Sequence, residues 1–371
     1  MNSFYHFIQR CILCVAIWLC VAIGAPVLGQ VSAGTEDESD RLIRQAQSLA
    51  SANRLAEAEA LLTKALQISP RDSKTITLLA EIKSRLGEAG EAVNLFRSVV
   101  RLQPSSETAH LNLSIALADL GQYNDALSEV NEAIHFQPKD SRAFLNRARF
   151  LADSGKIEEA RASFIRADRL APQDVEVKLF WGMFEKDVHR YQVAQSLLTQ
   201  ALSLQPDNMI ALLALADLQQ SLGKIQNAMA TWKHILAVDP KSEKALYTLS
   251  LDLRDADPVV AAEYLKKFKD VHDERLTVDR VTEMGNEAYG AMENQDWAKA
   301  IAKLHDAIIA CGECALQADL HQRLGLADCH NGDLDAGERE LRLSLSINPN
   351  NRQTVEALQW VAEHRSQEPP N

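Results

Sequence analysis

The chain has 371 residues, of which 46% are hydrophobic and 24% charged, so it can bury a large core and falls outside the disordered class. A formal charge of -12 leaves no basic footprint for a phosphate backbone, which argues against nucleic acid and anionic lipid surfaces as partners. Glycine, proline and aromatic residues are sparse while alanine and leucine recur, the composition of packed helices.

Residues 1–10 carry one Lys or Arg, Arg10, and precede an uncharged apolar run, Cys11 to Gly29. This pattern predicts an export signal over residues 1–33, cut after Ala33 or alternatively after Gly29. The run also approaches the roughly 20 residues that span a bilayer, so an uncleaved signal anchor is the competing reading. Both place the rest of the chain outside the cytoplasm, in the periplasm or an equivalent compartment. Residues 34–40 read as an acidic linker.

From there the sequence is periodic. Pro70, Pro104, Pro138, Pro172, Pro206 and Pro240 stand 34 residues apart. Twelve residues before each proline is an alanine: Ala58, Ala92, Ala126, Ala160, Ala194, Ala228. Twenty-four before are Ala46, Ala80, Ser114, Ala148, Gly182 and Ala216, small again, as two helices crossing at close range require. Seventeen before come Asn53, Gly87, Gly121, Gly155, His189 and Gly223, suited to a left-handed residue that ends a first helix. Each unit is therefore helix, tight turn, helix, and the proline stops the second helix. Such a unit buries its apolar face only against neighbours, which predicts a solenoid.

This pattern resembles the tetratricopeptide repeat. The resemblance implies an all-α, right-handed superhelical solenoid of about nine helix-turn-helix units with a C-terminal capping helix. About seven regular units are expected over 41–276, the second helix of the seventh beginning at Asp257-Pro258. The register then slips. Ala300 falls four residues late, consistent with an extra helical turn, and Gly325, Gly332, Gly337 and Pro349 repeat the earlier offsets after a further shift of three. Residues 277–350 are thus two irregular units with an insertion around Cys311 and Cys314, and 351–371 a capping helix and tail.

No nucleophile elbow, phosphate-binding glycine loop or dinucleotide fingerprint occurs, so neither a catalytic residue nor a cofactor is expected. Cys311, Cys314 and Cys329 remain after the signal. In an exported protein a 311–314 disulfide is the preferred reading, with a 314–329 pair or free thiols as alternatives. Zinc on these cysteines and His330 is disfavoured, because adjacent helical residues point about 100° apart.

In tetratricopeptide arrays the first helices line the concave surface, which implies a ligand there. By offset that surface would carry Leu111, Asn112 and Ile115, then Arg142, Leu145, Asn146 and Arg149, then Leu179, Phe180 and Met183. The two asparagines resemble rungs of the ladder by which some members of the family hold a peptide backbone, and the arginines would receive a ligand carboxylate. The family's chaperone-tail clamp is not expected, since Thr77 and Glu81 stand where it needs lysine and asparagine. The implied function is an exported scaffold that binds an extended segment of a partner protein. The alternatives are an enzyme or carbohydrate-handling factor with a site in the irregular units, or an inert spacer.

Overall fold

The computed structural model describes residues 38–365, and every regular element among them is a helix. The expected signal and the last residues of the tail lie outside the described residues. The chain divides after Ala214 into two compact units.

The first unit holds α1 (38–51), α2 (Leu55–Ile68), α3 (Ser73–Arg85), α4 (Ala89–Leu102), α5 (Glu107–Asp119), α6 (Tyr123–Phe136), α7 (Ser141–Asp153), α8 (Ile157–Leu170), α9 (Val175–Asp187) and α10 (Tyr191–Leu204). The following helix, α11 (Met209–Ser221), contains the division. Two residues after each proline a polar side chain starts the next first helix: Asp72, Asp140 and Asp174 each accept a hydrogen bond from a backbone N–H of the first turn, and Ser106 does the same for Ala109. These bonds satisfy donors that a helix start leaves unpaired. Between the helices of a pair, Gly87, Gly121 and Gly155 take left-handed conformations, and Asn53 and His189 do so with φ 60°. Second helices end two residues before each proline, whose ring disfavours helical geometry in the residue ahead of it.

The small residues mark the crossings. Ala58, Ala92, Ala126, Ala160 and Ala194 are fully buried, as is Ser114. A Cβ at Gly182 would lie 3.0 Å from Cγ of Leu198, so this crossing has little free volume. The main core cluster runs through α3 to α9 and includes Phe96, Val130, Phe150 and Phe164.

The second unit holds α12 (Ile225–Val238), α13 (Glu243–Asp252), α14 (Pro258–Glu293), α15 (Trp297–Cys311), α16 (Gln317–His330), α17 (Leu334–Ile347) and α18 (Arg352–Arg365). Asp257 caps α14 through Val260 N, as the Asp257-Pro258 start predicts. The chain then departs from the expected pattern of separate repeats: α14 is one 36-residue helix, with residues 276 and 277 in its interior. No proline stands near residue 274, so nothing interrupts the hydrogen-bond ladder, and α14 serves as second helix to α13 and first helix to α15. Its apolar seam changes sides to do so. His272 faces Glu243 of α13, and Val281, nine residues or about 2.5 turns further on, enters the core shared with α15.

Gly325 and Gly337 bring α16 and α17 together, and Gly332 makes the turn between them with φ 93°. α18 closes this stack by burying Val361 against Leu341 and Cys329. None of the described helices is long and apolar enough to cross a membrane.

Candidate functional site

The first helices of the first unit, α3, α5, α7 and α9, carry two clefts. One, of about 360 Å³, lies where Phe96 of α4 floors the space between α3 and α5, with Glu81, Arg85, Asn112, Ile115 and Asp119 around it. The other, of about 420 Å³, has Phe164, Phe180, Met183 and Phe184 as its apolar surface and Arg149, Asp153 and Asp187 at its polar edge. The Arg149 guanidinium lies over the Phe180 ring, 4.5 Å from its centroid, which holds both side chains in the cleft.

The residues expected to line the ligand surface divide into two groups. Asn112, Ile115, Arg149, Phe180 and Met183 line the clefts. Leu111, Leu145 and Leu179 do not: each is at most 4% exposed and packs in the core. The same 34-residue spacing marks a residue that faces a ligand and one that faces the neighbouring helix, and these leucines are of the second kind. Asn146 is also buried, and its amide donates to the Arg142 carbonyl oxygen at 3.0 Å, which commits it to its own helix. Arg142 is bound at the start of α7, 2.9 Å from the Asp140 carboxylate and 3.9 Å from Glu107. The two-rung asparagine ladder and the arginine pair are therefore reduced to Asn112 and Arg149.

Carboxylates replace them. Nineteen residues before successive prolines stand Asp119, Asp153 and Asp187, all on the cleft edges, and Glu81 joins them in the first cleft. Burial raises the pKa of Glu81. Burial also raises that of Asp119, opposed by the charge of nearby Arg149. The 34-residue spacing of these aspartates is visible in the sequence, where it runs beside the apolar and amide columns of the same helices.

Cys311 and Cys314 are joined by a disulfide at the end of α15. Cys329 is unpaired and buried, and its own burial raises its pKa, the opposite of an activated thiol. His330 stacks on Trp297 at 4.7 Å. Two of the four conceivable zinc ligands are therefore taken up in a disulfide and His330 in a ring stack, and no group of three or more His, Cys, Asp or Glu that could hold a metal occurs among the described residues.

Comparison with known families assigns this architecture. The tetratricopeptide repeat model matches residues 49–110, 84–144, 117–180 and 187–250, together more than half of the chain. The chain belongs to the tetratricopeptide-repeat family. Among solved structures, a tetratricopeptide repeat protein from Parabacteroides merdae is 16% identical over 88% of this chain and 99% of its own, with a TM-score of 0.46. PilF of Pseudomonas aeruginosa is 20% identical over 56% of this chain and 94% of its own, at 0.47. YrrB, described as a tetratricopeptide repeat protein with an unusual peptide-binding site, is 22% identical over 50% of this chain and 96% of its own, at 0.39. No curated protein matches the chain. Tetratricopeptide arrays are scaffolds for protein–protein interaction, a fold class that is typically non-enzymatic.

Proposed function

We propose that this scaffold is exported and that the first-helix face between α3 and α9 holds a partner segment carrying apolar anchors and cationic side chains. One observation carries the reading: two clefts with aromatic floors are edged by Glu81, Asp119, Asp153 and Asp187, while only Arg85 and Arg149 supply positive charge. Apolar anchors would fill the clefts and cations would meet the carboxylate column, the usual division between affinity and register. Export is supported by the apolar run Cys11 to Gly29 and by the Cys311–Cys314 bond, which suits an oxidising compartment.

A fluorescent peptide alternating leucine and arginine serves as the probe. Wild-type protein is expected to bind it saturably, and Phe180→Ala or the pair Asp153→Asn with Asp187→Asn to weaken it about tenfold, the loss of one anchor or of two charge contacts. Equal affinity for wild type and both variants would refute this site.

A further inference from the structure

The seventh helix pair, α13 with the first half of α14, lacks the cover that earlier pairs have. Eight residues before each proline, the second helix carries Leu62, Phe96, Val130, Phe164, Leu198 and Trp232, each at most 5% exposed. α14 starts one residue early relative to that spacing, so the counterpart in the seventh pair is Leu265, which is 37% exposed. On the first helices, Leu111, Leu145 and Leu179 are at most 4% exposed, whereas Tyr247 at the same offset is 46% exposed. The cause is the continuity of α14. In the regular pairs the chain turns back and lays the next first helix on the pair just completed, as α5 packs on α4 and α7 on α6. Here the next first helix is the second half of α14 itself, collinear with the first half and unable to fold onto it. What is left is an open groove of about 460 Å³ between α13 and α14, lined by Tyr247, Leu251, Arg254, Pro258, Ala262 and Leu265.

The charge beside this groove is the reverse of that on the first-helix face. Arg254 lines it, and Lys266 and Lys269 follow Ala262 and Leu265 by one helical turn, on the same side of α14. None of the three forms an ion pair with any described residue, although the chain as a whole carries -12. Glu263 and Asp270 lie three residues before and four after Lys266, on the edge of the stripe turned away from Leu265, and Asp273 follows Lys269 by one turn, so carboxylates border the stripe without pairing with its cations.

We propose that this groove docks an amphipathic helix of a partner protein, apolar on the face it buries and acidic along its edge, seated where a regular array would place its next first helix. Tyr247 and Leu265 would supply the apolar contact, and Arg254, Lys266 and Lys269 the charge complement. This surface is separate from the clefts of the first unit and does not depend on their reading.

The chain's own α5 sequence, Glu107–Asp119, is a suitable probe: it is a helix that covers such a pair, with a carboxylate at each end and no Lys or Arg. A hydrocarbon staple is needed because an isolated 13-residue helix is marginal in water. Titrated as a labelled peptide against the full chain, it is expected to bind saturably, with about tenfold loss on Leu265→Gln and a comparable loss on Lys269→Glu. A probe carrying Glu107→Lys and Asp119→Lys is expected to bind more weakly to wild type and to recover on Lys269→Glu. Both protein variants change exposed positions, so unchanged circular dichroism serves as the folding control. No saturable binding, or binding indifferent to both protein variants, overturns the proposal. Sedimentation supplies the other arm: a concentration-dependent dimer abolished by Leu265→Gln would make the occupant a second copy of this chain and overturn it equally.

Discussion

Gly337 offers a sharp test of the crossing geometry. A Cβ there would overlap the Cys329 sulfur and lie 2.8 Å from the carbonyl oxygen of Gly325. The sulfur sits on a buried side chain and the carbonyl is backbone of the facing helix, so relief requires α16 and α17 to move apart and loosen the packing of Leu341, which is 0% exposed. Replacing glycine by alanine inside a helix gains about 0.8–1.0 kcal/mol. Overpacking of this kind costs about 1–3 kcal/mol, and a backbone obstacle places it at the upper end, leaving Gly337→Ala destabilised by about 2 kcal/mol. Gly182→Ala is the matched control, because its new methyl meets only side-chain atoms of Leu197 and Leu198 at 3.0–3.3 Å. There the gain and the cost are each about 1 kcal/mol, and the net change should be near zero. Urea unfolding of the full chain, followed by circular dichroism at 222 nm, roughly the helical minimum, reads both variants. Adding Cys329→Ala to Gly337→Ala should recover part of the loss by removing the sulfur from the path, a coupling of about 0.5–3 kcal/mol. A neutral or stabilised Gly337→Ala, or an absence of coupling, would refute the assigned crossing.

Three further outcomes are expected. His189, exposed and left-handed at φ 60°, should gain about 1 kcal/mol on replacement by glycine, measured by the same unfolding assay. Binding of the leucine–arginine peptide should weaken as pH falls: burial raises the pKa of Glu81 and Asp119, so these groups take up protons at a higher pH than ordinary carboxylates and the cleft loses negative charge before the exposed surface does, a titration that Asp119→Asn with Glu81→Gln should flatten. Thiol labelling of unreduced protein should leave Cys311 and Cys314 blocked and buried Cys329 slow to react, while reduction should lower stability by about 2 kcal/mol or less because the bond closes a very short loop.

Much of the fold was legible because the repeat uses residues whose role is set by backbone or volume. The prolines, the left-handed glycines and the crossing alanines each admit few alternatives, so their 34-residue spacing translated directly into helix ends, turns and contacts. Asp257-Pro258 located the start of α14 for the same reason. The long helix was less legible because it is announced by something missing, a stop signal near residue 274, and the displaced Ala300 is equally compatible with an extra turn in a separate helix. The cleft residues were harder still. Leu111 and Ile115 lie one turn apart on α5 and are both apolar, yet one is 4% exposed and the other 37%. Only the position of the neighbouring helix separates them. Arg142 shows a related limit: the sequence displays its charge, but not the pairing with the Asp140 carboxylate that neutralises it as part of capping α7.

The two proposed surfaces carry opposite charge, and that difference constrains how the scaffold can work. A segment rich in cations that suits Glu81, Asp119, Asp153 and Asp187 would place like charge against Arg254, Lys266 and Lys269, and an acidic helix would meet the reverse penalty at the clefts. Each surface therefore rejects the ligand of the other by repulsion as well as by poor fit. One partner segment cannot serve both, so a protein that uses both surfaces brings two chemically distinct partners together. The leucine–arginine peptide and the stapled α5 helix should accordingly bind at the same time, each with an affinity unaffected by saturation with the other. Phe180→Ala should weaken only the first ligand and Leu265→Gln only the second. Competition between the two peptides would show that they share one surface and would remove the basis for a scaffold with two ligand classes.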